Sequence, residues 1–145
     1  MSMEIGGFRN QGTTKVEPQF ALVGQDERPK RVVLVIEGEI VGDNKGDADS
    51  EEHGRELMLH SLKSLATAKA VPDEIILIHD GVKLLLSDSE CFGCWKAILD
   101  REITVKACNE SLFYLGRMPE DARVVCDDMA SLLQSMLTAD RIVRL

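Results

Sequence analysis

The chain has 145 residues, 44% of them apolar, with 25 acidic and 17 basic residues and a formal charge of −8. That length suits one domain with a filled core. Phosphate binding needs a concentrated basic surface, and no Lys/Arg cluster recurs along any predicted face, so nucleic acid is excluded as the main partner. No apolar run approaches the roughly 20 residues of a membrane span, and the first residues lack the charged-then-apolar layout of a secretory signal. A cytoplasmic protein with no membrane partner is therefore expected. Four cysteines, Cys91, Cys94, Cys108 and Cys126, are few for a disulfide framework, which makes reduced thiols the default.

Residues 1–30 show no helical or strand periodicity and scatter Gly6, Gly7, Gly12, Pro18, Gly24 and Pro29 among polar residues. A flexible or loosely docked arm is expected there, which Phe8 and Phe20 could anchor to the body or to another subunit. The folded domain is expected over residues 31–145. Its first strand, 31–36, is a continuous β-branched and apolar run, as suits a strand buried on both faces of a parallel sheet. A glycine-containing acidic loop follows to Ser50. Asp49 or Ser50 can cap a helix whose apolar face is Leu57, Met58, Ser61, Leu62, Leu65 and Ala66, and which ends before Val71-Pro72.

A second strand is predicted over residues 74–79, ending at the turn Asp80-Gly81. Ser87 and Glu90 have capping-box spacing for a helix from 87 to about 100, with Phe92, Trp95, Ile98 and Leu99 facing the sheet. Residues 103–107 form the third strand, and a short helix covers 110 to about 115. The fourth strand, 123–126, precedes a helix capped by Asp127 or Asp128, with Met129, Leu132, Leu133, Met136 and Leu137 inward. Residues 141–145 close as a fifth strand. Strict alternation of strand and helix predicts an α/β fold: three αβα layers around a five-stranded, mostly parallel sheet with right-handed crossovers, a flavodoxin-like architecture.

Ligands of such sheets bind beyond the carboxyl ends of the strands. Placed there are the 38–50 loop, His79-Asp80-Gly81, Cys108-Asn109 and Cys126-Asp127. A phosphate site would need a glycine-rich turn at fixed spacing, which residues 38–46 do not provide, so no nucleotide cofactor is expected. Cys91-Phe92-Gly93-Cys94 has the spacing of a redox motif or half a zinc site. Zinc needs two more ligands, and the remaining candidates are scattered singly, so no metal site is expected. Cys91 is also expected about one turn inside its helix, where packing explains both thiols, with a reversible disulfide as the other reading. His79 reads equally as a satisfied core histidine or as a group of the binding edge.

Cys108 is the strongest candidate. It lies at the junction of strand three and a helix start capped by Asn109, where unpaired N–H groups converge. Such a terminus with one nearby cation can favour a thiolate. Lys83 could bring positive charge to the same edge. The competing reading is a buried packing cysteine.

From Arg31 onward the chain resembles the DsrE/DsrF-like proteins, most closely the C-terminal domain of YedF-type proteins. The resemblance is carried by the first strand, the glycine-containing loop, Glu51-Glu52-His53-Gly54-Arg55-Glu56-Leu57-Met58, His79-Asp80-Gly81-Val82-Lys83-Leu84 and Ala107-Cys108-Asn109-Glu110-Ser111-Leu112-Phe113-Tyr114. It implies a sulfurtransferase or sulfur-relay protein, linked with selenium metabolism, that carries sulfur as a persulfide on Cys108. Asn109, Asn44, His79, Gly81 and Lys83 would be binding neighbours. It also implies sulfur-donor and sulfur-acceptor proteins as partners and a homo-oligomer, trimeric or hexameric. The family segment Cys-Gly-Thr-Cys reads Cys108-Asn109-Glu110-Ser111 here, so a single sulfur would act at this loop. The alternative on the same fold is a non-catalytic small-ligand-binding or assembly module.

Overall fold

The computed structural model describes residues 30–43 and 46–145. The expected arm over residues 1–30, except Lys30, and the candidate Asn44 lie outside the described residues. The elements run β1 (Val32–Ile36), α1 (Ala48–Leu65), β2 (Glu74–Leu77), a 3-10 helix (His79–Leu85), α2 (Cys94–Asp100), β3 (Thr104–Cys108), α3 (Asn109–Leu115), β4 (Val125–Asp127), α4 (Met129–Leu137) and β5 (Arg141–Arg144). All five strands are parallel, in the order β4-β3-β2-β1-β5. This is the expected α/β fold. No helix among the described residues is long and apolar enough to cross a membrane.

The buried runs on β1 and β2 explain why these strands lie inside the sheet. Val33 to Ile36 and Ile75 to Leu77 are buried on both faces, so each strand needs a helix layer above and below it. Right-handed crossovers place α1 and α2 on one face, where they pack against each other. After β4 the chain returns across the sheet, and α4 covers the other face. Lys106, which alternates with the inward-facing Val105 and Ala107, reaches across to α4 through Nζ to Ser135 Oγ at 3.1 Å. On the same face Glu74 is buried, with Oε1 accepting from Arg31 at 3.0 Å and Oε2 paired with Lys106 Nζ at 3.2 Å.

Several elements differ from the sequence expectation for identifiable reasons. The cap of α1 is Asp47, whose carboxylate accepts from Asp49 N–H, so the helix starts before Asp49 and Ser50. Its buried row is Gly54, Met58 and Leu62, four residues apart, which leaves Leu57 largely exposed. Gly54 must lack a side chain: a Cβ there would lie 2.8 Å from both Ile40 Cβ and Val41 O. The Ser87/Glu90 box does not form. Ser89 Oγ instead accepts from Cys91 N–H at 3.0 Å, and residues 86–93 run as turns until Gly93 leads into α2. Ser and Asp side chains compete with helical hydrogen bonds, and Gly93 weakens a helix further. Trp95, buried with its indole N–H donating to Leu84 O at 2.9 Å, then fixes where α2 sits.

On α4 the cap is Asp128, accepting from Ser131 N–H at 2.8 Å. Leu132 is fully buried, Met129 and Met136 pack beside it, and Leu133 and Leu137 face outward. Leu132→Ala is expected to lower unfolding free energy by about 2–5 kcal/mol, through lost burial and a residual cavity. Leu133→Ala should stay within about 0.5 kcal/mol of wild type. Urea titrations of the two variants check this, and equal effects would contradict the assigned face of α4.

Candidate functional site

Because every strand is parallel, all carboxyl ends lie at one edge of the sheet, and that edge brings several predicted residues together. Cys108 is both the last residue of β3 and the residue that precedes α3, with extended dihedrals (φ −72°, ψ 120°). Strand and helix are thus joined with no intervening loop. Asn109 is the first residue inside α3 rather than its cap, and no side chain caps this helix. Cys108 shares the sheet face of Lys106, two residues earlier, so its thiol points toward the α4 layer. It is 3% exposed.

The neighbour of the sulfur is an acid. Cys108 Sγ donates to Glu110 Oε1 at 3.5 Å, and the same oxygen accepts from Met129 N–H at 2.9 Å. Glu110 therefore spans from the thiol to the start of α4. The next residue makes the matching link on the other side: Ser111 Oγ accepts from His79 N–H at 2.8 Å. His79 has φ +53°, a left-handed conformation uncommon for residues other than glycine. Its backbone is held by Ser111 while its imidazole is exposed, 3.7 Å from Asp80. Neither Glu110 nor Ser111 stood out in the sequence as a site residue. The available signal was their position one and two residues into a helix that starts at a strand end, within reach of neighbouring strand ends.

Gly81 and Lys83 lie on the 3-10 helix. Gly81 is there for close approach, since a Cβ would come within 2.3 Å of Ile36 O at the end of β1. Lys83 Nζ pairs with Asp80 Oδ1 at 3.3 Å and Glu39 Oε2 at 3.6 Å, and these carboxylates raise its pKa, the Asp80 hydrogen bond most. Its charge is committed to that acidic pair.

His79, Asp80, Glu110, Ser111, Tyr114 and Leu115 line a cleft of about 240 Å³ at this edge. Glu110 reaches its wall; the thiol lies behind it. Tyr114 and Phe113 are 89% and 90% exposed, so α3 presents two aromatic rings to solvent beside the cleft.

The other cysteines are placed differently. Cys94 begins α2 and Cys91 lies in the turn before it, not one turn inside the helix. All four cysteines are free. Burial pushes the Cys91 thiol up to about 11, with Cys94 and nearby acids adding to it and Ser89 opposing. Burial likewise raises Cys94 and Cys126. Among the described residues, no group of three or more His, Cys, Asp or Glu could hold a metal ion.

The raised Cys91 pKa gives a pH prediction. The folded state binds this proton more tightly than the unfolded chain, so the associated stability is complete below pH 9.0 and disappears as pH rises to about 11. Cys91→Ala should flatten the alkaline limb of stability between those values in thermal melts. An unchanged limb would show that another group governs it.

No protein-family model matches the chain, and no curated protein matches it. Two solved structures share its architecture. The YchN protein of E. coli aligns with a TM-score of 0.60 and 17% identity, over 81% of this chain and 100% of that one. MTH1491 of Methanobacterium thermoautotrophicum aligns with a TM-score of 0.56 and 20% identity, again over 81% and 100%. At such identities the likeness is one of fold, and the fold this chain shares with YchN is DsrE-like.

Proposed function

We propose that the protein is a YedF-like sulfur carrier of the cytoplasm, in which Cys108 takes up the outer sulfur of a donor persulfide and passes it to an acceptor. The observation that carries this reading is the hydrogen bond from Cys108 Sγ to Glu110 Oε1, a nucleophile in contact with a proton acceptor. Cys108 Sγ forms a bond to the donor's outer sulfur, the donor S–S bond breaks, and the donor's inner sulfur departs as a thiolate. The Cys108 proton passes to Glu110 and from there to the leaving thiolate. One S–S bond replaces another, so no oxidant is required. Delivery to an acceptor thiol is the same exchange in reverse, and a selenium atom in the outer position would follow the same path.

Of the expected binding residues, His79 lines the cleft; in this reading it would orient the incoming chain of sulfur atoms, with Asn109, Gly81 and Lys83 as supporting neighbours. Donor and acceptor are proteins in this reading, and the chain assembles as a trimer or hexamer. The exposed Phe113 and Tyr114 support protein contact at the cleft, because buried aromatic rings dominate interface energies. A second reading, a non-catalytic binding or assembly module, is favoured by one observation: Cys108 is 3% exposed.

Incubation with a persulfide donor followed by intact-mass measurement separates the two. The carrier reading expects a gain of one sulfur atom on wild type and none on Cys108→Ala. It is overturned by the absence of an adduct on wild type, or by an equal adduct on the variant. Glu110→Gln keeps an acceptor for Met129 N–H but removes the base, so loading at neutral pH should slow by about 100-fold or more while stability is retained. Under the module reading Cys108 alkylates no faster than a model thiol, and Glu110→Gln changes nothing in its chemistry.

A further inference from the structure

Cys91 and Cys94 are neighbouring thiols that the chemistry at Cys108 does not use. Their spacing alone favours packing, because it sets Cys91 a turn inside a helix, and the fold removes that objection. Cys91, Phe92 and Gly93 are turn residues, and α2 begins only at Cys94. Cys94 N–H donates to Cys91 O at 3.0 Å, which closes a four-residue turn with the two cysteines at its ends. Such a turn holds its end α-carbons within about 7 Å, and a disulfide joins α-carbons about 4.4–6.8 Å apart. The backbone is already within the reach of a disulfide.

The surroundings of the two sulfurs differ. Cys91 is 4% exposed and packs in the core, with its N–H held by Ser89 Oγ at 3.0 Å. Cys94 is half-buried, and the Lys63 ammonium on α1 opposes the effect of burial on its thiol. Beside it Gly93 is exposed, and a Cβ placed there would meet nothing within 4 Å, so the turn is open on its outer side. The charge of Cys94 acts on Cys91, second only to burial in holding that thiol protonated, so the two side chains lie in each other's field. The pair lies on the α1 and α2 side of the sheet, whereas Cys108 points to the α4 layer.

We propose that Cys91 and Cys94 are a dithiol site that reduces low-molecular-weight disulfides, with Cys94 as the attacking thiol and Cys91 as the resolving one. Cys94, once deprotonated, forms a bond to one sulfur of the small disulfide, whose S–S bond breaks, and the first small thiolate leaves and takes up the proton. Cys91 then attacks Cys94 Sγ in the mixed disulfide, and the second small thiolate leaves with the Cys91 proton. Two thiols of the chain are oxidised to one disulfide, and one small disulfide is reduced to two thiols. Burial sets the direction. Where the thiolate of a CxxC pair is stabilised, the reduced pair is favoured and its disulfide oxidises other thiols. Here burial raises both thiols, so ionisation gives the reduced pair no such support and it acts as the electron donor.

Oxidised glutathione is the probe, added to the reduced protein before the remaining thiols are blocked by alkylation. Cleavage after Lys83 and Lys96 releases one peptide with both cysteines, whose mass is then measured. The expected product is that peptide lacking two hydrogen atoms and carrying no alkyl group. Cys91→Ala should stop at a glutathione adduct on Cys94, and in Cys94→Ala the same peptide should react about tenfold more slowly. The peptide from the unaltered protein remains decisive where a variant fails to fold. Recovery of both thiols alkylated, a lasting glutathione adduct on wild-type Cys94, a disulfide from either residue to Cys108 or Cys126, or undiminished reaction of Cys94→Ala overturns the proposal. The sulfur-loading state of Cys108 does not enter these outcomes, so this proposal and the carrier reading fail separately.

Discussion

The first turn of α3 is the constraint on which the edge of this fold depends. Three strand ends meet there, and two adjacent side chains join them: Ser111 holds the His79 backbone after β2, and Glu110 holds the Met129 backbone after β4. Cys108 lies between these links at the end of β3, with no loop residue to let it drift. His79 is kept in a left-handed conformation that disfavours an L-residue by roughly 1–2 kcal/mol. The Ser111 hydrogen bond and the close packing of Gly81 against Ile36 O offset that strain. The site is thus positioned by backbone geometry and two short polar links rather than by the packing of its own loop.

The same links give position 111 a physical meaning. In the YedF-like reading proposed above, a second cysteine would be expected where Ser111 stands here. A hydroxyl oxygen accepts a hydrogen bond from an amide far better than a thiol sulfur does. Ser111 is engaged as an acceptor at 2.8 Å, so this chain uses the position to fix the β2 exit. In the proposed function, chemistry at this junction would fall to one sulfur and its acid neighbour.

Patterns that repeat over many residues were legible in the sequence. Continuous apolar runs at 32–36 and 74–77 identified the buried parallel strands, and alternation of strand and helix gave the fold class and the edge where the candidate residues lie. Cys108 at the carboxyl end of β3 followed from the same logic. Features set by single contacts were less visible. The start of α2 depends on the Trp95 indole meeting Leu84 O and on Ser89 turning to Cys91, neither of which has a periodic signature. The charge beside the thiol also depends on single contacts. Lys83 is bound to Asp80 and Glu39, and Glu110 is the group beside the sulfur, because a helix that begins directly at Cys108 aims its second residue back over the strand end.

That geometry bears on how a buried sulfur could exchange with a partner. Glu110 lies on the cleft wall and Cys108 does not, so in the proposed reaction an incoming persulfide would meet the acid before the thiol. Admitting the donor requires the Glu110 side chain to turn, which breaks its hydrogen bond to Met129 N–H. A hydrogen bond to a charged group contributes about 1.5–3 kcal/mol, so an open arrangement would be populated at the level of a few per cent. Gating of that size would slow encounter by roughly ten- to a hundredfold while keeping the sulfur covered between encounters. A persulfide is open to attack by any small thiol that reaches it, so such covering would favour a docked acceptor over random exchange. In the proposed reaction one carboxylate therefore has two roles: it receives the proton as the thiol attacks, and it shields the sulfur once loaded.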